Sequence, residues 1–188
     1  MQYGTIPAYL IDLAWFVLLT IWVVTAFTAK RTATHTRGRW WAYRLIVAAI
    51  IYLIVRLSGS KGFFLYYIHN LPLQWIGVVL VYIGTGTAIW ARYYLGRNWG
   101  MPMSVKEGAE LVTTGPYAYI RNPIYTGIFF AMIGSALALG VIWAIIFALY
   151  LIYLIPSVFV EEKIMARLFP DAYPAYKART KRLIPWIW

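Results

Sequence analysis

Residues 123–165 read PIYTGIFFAMIGSALALGVIWAIIFALYLIYLIPSVFVEEKIM, and this stretch is uncharged up to a pair of glutamates near its end. It contains two apolar runs, residues 123–139 and residues 141–165, which meet at Gly140. A helix that crosses a bilayer needs about 20 apolar residues, within a range of roughly 17–25. The stretch therefore predicts two transmembrane helices that form a tight helical hairpin.

The chain upstream has three further apolar runs, at residues 8–28, 41–57 and 73–95. Hydrophobic residues make up 62% of the chain, whereas a soluble domain is about 45–50% apolar. We therefore predict an all-α, polytopic membrane protein with five transmembrane helices. All five belong to a single membrane domain that covers residues 1–188.

The predicted domain has two parts. Residues 1–95 hold the three N-terminal helices, and residues 96–188 hold a polar loop, the helical hairpin and a tail. In the tail, Phe169, Tyr173 and Tyr176 alternate with Lys and Arg. This pattern predicts a C-terminal interfacial helix beneath the membrane.

The basic residues predict the orientation. Of the 17 Lys and Arg residues, all but Arg56 and Lys61 lie within residues 29–44, 92–122 and 160–188. Five spans would place these three segments on one side, and an excess of Lys and Arg marks the cytoplasmic side. We expect the N-terminus outside, and the polar loop and C-terminus in the cytoplasm. Because the basic residues are spread between apolar runs, the net charge of +11 does not indicate nucleic-acid binding.

A polar, turn-rich stretch, LVTTGPYAYIRNPIYTG at residues 111–127, precedes the hairpin. Arg121 is either an interfacial anchor or a group that holds an anion or a carboxylate. Asn122 can cap the helix that follows it. Tyr117 and Tyr125 either belong to an interfacial aromatic belt or stack on a planar ligand ring. The stretch is therefore a candidate binding site at the membrane face.

Glu161 and Glu162 follow the last apolar run. A carboxylate is expensive inside hydrocarbon, so this pair belongs at the interface or in ion pairs. In one interpretation, Glu162 pairs with Lys163 or Arg167 at a solvated helix end. In the other, both glutamates face the polar loop and take part in the site.

Small residues recur within the hairpin. Gly127, Ala131 and Ser135 have a spacing of four, which predicts close packing against another helix. Gly84 and Gly86 resemble part of a dinucleotide-binding fingerprint, but they lie in an apolar run with no strand before it. That function is therefore excluded.

We predict no metal site. The two histidines, His35 and His69, fall in separate loops on opposite sides of the predicted membrane domain. The chain has no cysteine, which excludes disulfides and thiolate ligands.

Taken together, the motifs resemble the isoprenylcysteine carboxyl methyltransferase family of small membrane methyltransferases. The resemblance covers about half of the chain, and the motifs occur in the family's order. They are residues 111–112 (Leu-Val), 115–117 (Gly-Pro-Tyr), 121–127 (Arg-Asn-Pro-Ile-Tyr-Thr-Gly), 161–162 (Glu-Glu), 173–176 (Tyr-Pro-Ala-Tyr) and Pro185.

The resemblance implies methyl transfer from S-adenosylmethionine, bound at the cytoplasmic face, to a lipophilic acceptor that enters from the bilayer. The first acceptor it implies is the carboxylate of an isoprenylcysteine-like substrate. The implied catalytic residues are Arg121, Glu161 and Glu162. The implied cofactor-binding residues are Glu110, Leu111, Val112, Tyr117, Asn122, Pro123, Ile124, Tyr125 and Glu161.

Two positions depart from the family pattern. Asn122 stands where the family commonly has His, and Asn cannot titrate. Ser157 stands where eukaryotic members have an Arg that holds the substrate carboxylate. A carboxylate acceptor is already ionised at neutral pH and needs no general base. An amine acceptor would have to lose a proton, which Glu161 or Glu162 could take.

Three alternatives remain open from the sequence. A phospholipid amine N-methyltransferase would use the same cofactor. An NADPH-dependent membrane reductase would share the related C-terminal half, but the loop has no surplus basic cluster for a 2′-phosphate. A non-enzymatic membrane protein is the third; a transport pathway usually needs charges within the spans, and these spans have almost none.

Overall fold

The computed structural model describes residues 5–35, 70–100, 104–184 and 187. Its α-helices within these ranges are α1 (Ile6–Ala26), α2 (Leu71–Leu95), α3 (Pro123–Leu139), α4 (Val141–Leu168) and α5 (Ala172–Arg179). Short 3-10 turns lie at Gly96–Asn98 and Gly115–Ala118, and two short strands are β1 (Thr32–His35) and β2 (Ser104–Lys106).

Three helices among the described residues are long and apolar enough to cross a membrane, at Ile6–Ala26, Leu71–Asn98 and Val141–Leu168. The apolar α3 is shorter, with 17 residues. The run predicted at residues 41–57 lies outside the described residues. The largely helical membrane architecture is therefore confirmed, and the count of five spans stays a prediction.

The boundaries of the helices follow from local sequence. The Asn70 side chain accepts a hydrogen bond from the Leu73 N–H (3.0 Å), which caps the start of α2. Gly140, with φ of 96°, both ends α3 and precedes α4. A positive φ favours glycine because it has no Cβ, so this residue suits the break between the two helices, and the tight hairpin stays a prediction.

The backbones of α2 and α3 approach closely through glycines. A Cβ added to Gly77 would lie 2.5 Å from the Gly134 carbonyl oxygen, and one added to Gly134 would lie 2.5 Å from that of Gly77. Two turns before Gly134 on α3, a Cβ added to Gly127 would lie 2.5 Å from the Gly84 carbonyl oxygen. The prediction that small residues serve packing is confirmed, and the helix they pack against is α2.

Helix α1 joins this pair through polar contacts. The Trp15 indole N–H donates to the buried Ser135 hydroxyl of α3 (3.0 Å). At the other end, the Arg92 guanidinium donates to the carbonyl oxygens of Thr25 (2.7 Å) and Gly96 (2.6 Å). The same guanidinium lies 4.8 Å from the Trp99 ring. These contacts hold the ends of α1 and α2 together.

The strands β1 and β2 form an antiparallel ribbon, with Thr32 opposite Lys106 and His35 opposite Ser104. The all-α prediction did not include this ribbon. Strands of three and four residues are too short to show an alternating pattern in sequence.

The tail is fastened to the polar loop. The Arg121 N–H donates to the Lys181 carbonyl (2.8 Å), and the Lys181 N–H donates to the Tyr119 carbonyl (3.1 Å). Both Tyr173 and Tyr176 of α5 are buried, and the Tyr176 hydroxyl donates to the Tyr117 carbonyl (2.8 Å). The tail helix therefore packs Tyr173 and Tyr176 on protein, and its interfacial position stays a prediction.

Candidate functional site

A cavity of about 430 Å³ opens where the ends of α1, α2 and α4 meet the start of α3. Ligand sites for small molecules typically occupy about 300–1,000 Å³. Its lining includes the predicted site residues apart from Pro123. They are Glu110, Leu111, Val112, Tyr117, Arg121, Asn122, Ile124, Tyr125, Glu161 and Glu162.

Pro123 is buried behind this lining as the first residue of α3. The fold thus brings together two segments, around residues 110–125 and 161–162, that are well separated in sequence.

The rest of the lining was not predicted from sequence. It is rich in aromatic and apolar side chains, and it includes a tryptophan from α1 and two tyrosines from α5. These residues include Trp22, Leu95, Asn98, Trp99, Ile128, Ile164, Met165, Leu168, Tyr173 and Tyr176.

Glu162 is the centre of a compact ion-pair cluster. Its side chain is 7% exposed, and Oε1 accepts hydrogen bonds from Arg121 Nε (2.9 Å) and Arg182 Nε (2.9 Å). Its Oε2 accepts one from Arg182 Nη2 (3.0 Å) and lies 3.7 Å from Lys177 Nζ. The predicted pairing with Lys163 or Arg167 is wrong, because the tail supplies closer cations from farther along the chain.

Arg121 holds a carboxylate of its own chain. Besides Glu162, its guanidinium donates to the carbonyl oxygens of Lys177 (3.1 Å) and Thr180. Hydrogen bonds between ionised groups are roughly twice as strong as neutral ones. Arg121 therefore fastens the tail across one side of the cavity.

Asn122 occupies the predicted N-cap position of α3, but its side chain makes no capping hydrogen bond. Its side-chain Nδ2 donates to the Arg182 carbonyl (3.1 Å). One turn further along α3, the Thr126 hydroxyl donates a hydrogen bond to the Leu183 carbonyl (2.6 Å). Both contacts attach the tail to the start of α3.

Glu161 has a separate environment from its neighbour. Its Oε1 accepts a hydrogen bond from the Tyr125 hydroxyl (2.6 Å), and the Tyr150 hydroxyl donates to the Tyr125 carbonyl (3.3 Å). Glu161 is half-buried and lines the cavity. It therefore places a carboxylate among aromatic rings, which together attract a cationic ligand group.

The tyrosines that face the cavity from the loop and tail stay protonated at neutral pH. Burial raises the pKa of Tyr117 far above its ordinary value, and burial also raises the pKa of Tyr173 to about 12. Neutral phenols can donate hydrogen bonds and offer ring faces to a ligand.

Ser157 is buried on α4, and its hydroxyl donates to the Tyr153 carbonyl of the same helix (2.7 Å). Of the described residues, the basic ones in the lining are Lys106 and Arg121. Ser157 therefore supplies no cation to this cavity. No group of three or more His, Asp or Glu side chains gathers as metal ligands within residues 5–35, 70–100 and 104–184.

The chain resembles known proteins over the part that builds the cavity. The family model described as phospholipid methyltransferase matches residues 73–172. The chain is 30% identical over 156 residues to the nickel-cobalt-cadmium resistance protein NccN of Alcaligenes xylosoxydans xylosoxydans. The matched region covers 80% of this chain and 66% of that protein.

Two yeast proteins are also similar. The protein-S-isoprenylcysteine O-methyltransferase of Saccharomyces cerevisiae is 29% identical over 60% of this chain and 48% of its own length. That of Schizosaccharomyces pombe is 34% identical over 41% of this chain and 34% of its own length. The chain thus spans between about half and two thirds of the first two relatives.

Proposed function

This chain belongs to the phospholipid methyltransferase family, and we propose that it transfers a methyl group from S-adenosylmethionine to a lipid-like acceptor at the membrane. The observation that carries the proposal is the cavity itself, in which the loop of residues 110–125 and the Glu161 carboxylate converge. The match to the family and the similarity to two yeast methyltransferases support the same chemistry.

The donor set of the cavity fits this cofactor. S-adenosylmethionine carries a sulfonium and an ammonium, and both favour carboxylates and aromatic faces. Glu161 offers the carboxylate, while Tyr117, Tyr125 and Trp99 offer the rings. The backbone at Leu111 offers polar groups for an adenine edge. The bound cofactor supplies an activated methyl group on sulfur.

The chain's own contribution is alignment and exclusion of water. Such positioning accounts for much of the catalysis of transfers between two bound reactants. The Tyr125 hydroxyl orients the Glu161 carboxylate, and the Glu162 cluster holds the tail as a wall. Ile128, Ile164 and Met165 line the side formed by α3 and α4. We propose that the apolar part of the acceptor lies there.

For the acceptor group we propose the carboxylate of an isoprenylcysteine-like substrate, since the yeast relatives are named as isoprenylcysteine O-methyltransferases. The second candidate is the amine of a phospholipid, and three observations favour it. The matching family model is that of phospholipid methyltransferases, and Glu161 gives the cavity a proton acceptor. Ser157 supplies no cation for a carboxylate.

We further propose that the cavity faces the cytoplasm, with the N-terminus on the opposite side. The support is the excess of Lys and Arg near residues 92–122 and after residue 160. A cytoplasmic cavity can take up a soluble cofactor directly.

The test is calorimetric binding of S-adenosylhomocysteine to the purified protein in detergent. We expect micromolar binding to the wild type, and its loss in Glu161→Gln and Tyr125→Ala. The matched control is Glu107→Gln, which removes an exposed carboxylate of the same loop. A folded wild type that binds NADPH and fails to bind S-adenosylhomocysteine would refute the proposal.

Two methyl-transfer assays then identify the acceptor. Methyl transfer from labelled S-adenosylmethionine is measured with a farnesylated cysteine and with phosphatidylethanolamine vesicles. Transfer to the first supports the carboxylate, and transfer to the second supports the amine. In the second case, the wild-type rate should rise with pH, because the amine must lose a proton before it accepts the methyl group.

A further inference from the structure

Lys30 lies just beyond α1 and reaches the segment that leads into the cavity. Its Nζ donates to Asn98 Oδ1 (2.9 Å), to the Gly108 carbonyl (2.6 Å) and to Glu110 Oε1 (3.1 Å). An ammonium has three N–H donors, so these three acceptors use all of them. The Lys30 side chain is 20% exposed and that of Glu110 is 74% exposed.

Backbone hydrogen bonds place Lys30 in this position. The Lys30 N–H donates to the Arg97 carbonyl (2.8 Å), and the Glu107 N–H donates to the Arg31 carbonyl (3.0 Å). The β1–β2 ribbon continues from there. The chain after α1 therefore contacts Arg97 and runs along residues 104–107, and Lys30 extends the attachment to residues 108–110.

The attached segment is a thin wall. Glu110, Leu111 and Val112 line the cavity on one side and a second, open recess of about 500 Å³ on the other. Glu110 is exposed, and Leu111 and Val112 are half-buried. Gly108, at φ of 57°, adds conformational freedom at its start. The Glu110 N–H also donates to Asn98 Oδ1 (3.3 Å), the same oxygen that accepts from Lys30 Nζ, so Lys30 and Asn98 together attach this segment.

We infer that Lys30 is a positioning residue that holds residues 108–112 in place for the cofactor. This inference rests on the proposed function, since it concerns the same cavity. Lys30 lies outside residues 73–172, which the family model matches. If Lys30 positions this segment, the N-terminal part of the chain contributes to the site.

This role of Lys30 differs from that of a surface ion pair. An exposed Lys–Glu pair alone contributes little. Two of the three bonds of Lys30 go to other acceptors, the Asn98 amide oxygen and the Gly108 carbonyl. When they are lost, the wall samples more conformations, and binding must then order it. Affinity falls, while the rate after binding is unchanged.

The test compares Lys30→Met, Lys30→Arg and the control Lys163→Met, which removes a charge from an exposed position on α4. We expect Lys30→Met to weaken S-adenosylhomocysteine binding about tenfold, or 1.4 kcal/mol. The KM for S-adenosylmethionine should rise with it, and kcat should stay at the control value. Lys30→Arg should bind with intermediate affinity, because a planar guanidinium meets only part of the three-way arrangement.

A second readout uses the protein without ligand. Amide hydrogen exchange of residues 104–112 should be faster in Lys30→Met than in the control, with exchange of α2 and α3 unchanged. Equal affinity in Lys30→Met and Lys163→Met would overturn the inference, as would equal exchange. Absence of binding to the wild type would refute the proposed function instead, and the exchange of residues 104–112 would still decide whether Lys30 holds the wall.

Discussion

Replacing Glu162 by Gln removes the negative charge that binds the tail and leaves the size of the side chain nearly unchanged. In the native cluster, Arg121 and Arg182 both donate to this carboxylate, with N···O distances of 2.9–3.0 Å. The side chains of the three residues are 7–16% exposed. The substitution therefore leaves the guanidinium groups of Arg121 and Arg182 largely buried without the negative charge that neutralises them.

The expected loss follows from these contacts. Removing one partner of a buried ion pair destabilises a protein by about 3–5 kcal/mol. Glutamine keeps one oxygen as a neutral acceptor, so we expect the lower end, about 3 kcal/mol. Lys177 lies farther away and is half exposed, so its contribution is small. For a chain of this size, the loss corresponds to a fall of about 6–12 °C in the unfolding midpoint.

Thermal unfolding in detergent, followed by tryptophan fluorescence, measures the midpoint, with Glu107→Gln as the matched control at an exposed carboxylate. Limited trypsin digestion locates the effect, because a released tail is cut faster after Lys177 and Arg179. A midpoint within about 2 °C of the control, together with unchanged cleavage of the tail, would refute the assignment of Glu162 as its anchor.

Three further predictions concern other parts of the fold and site. Gly127→Ala places a Cβ against the facing backbone of α2 and should lower stability by about 1–3 kcal/mol. Gly86→Ala, with open space around its Cβ, should leave the unfolding midpoint unchanged or raise it. Tyr125→Phe removes the donor to Glu161 and should weaken S-adenosylhomocysteine binding in calorimetry by about 1.5–3 kcal/mol; unchanged affinity would contradict this role. A hydrogen bond from Lys30 lowers the pKa of the Glu110 carboxyl group. The contribution of this bond to folding stability is present above the pKa of an unfolded Glu, and it is lost as pH falls through the lowered pKa. A ¹³C-carboxyl NMR titration should show the pKa of Glu110 returning upward when that lysine becomes Met, and an unchanged titration would contradict the bond.

The candidate site could be largely predicted where its signals are local. The turn at Gly115 and the start of α3 at Pro123 are visible as dipeptides, since Gly and Pro restrict the backbone in known ways. The likeness to a methyltransferase family then joined this loop to the distant Glu161. The cavity lining brings these positions together because the loop and the end of α4 lie on the same side of α3.

The partners of individual charges could not be predicted in the same way. Sequence proximity pointed from Glu162 to Lys163 and Arg167, whereas the structure pairs it with Arg121 and Arg182. An ion pair depends on the distance between side chains in space, and a tail that turns back can bring a cation close from any point of the chain.

By itself, the sequence determined the membrane character of the chain, the positions of its described apolar helices and the loop that carries the site. These features depend on composition and on residues close together along the chain, so hydrophobicity and backbone preference are sufficient to predict them. Only the tertiary structure decided that Trp22 of α1 lines the cavity, that Lys30 bonds to the Gly108 carbonyl and that Tyr176 faces protein. Each of these depends on how helices pack and how the chain returns on itself, because contacts between residues far apart in sequence leave no periodic pattern.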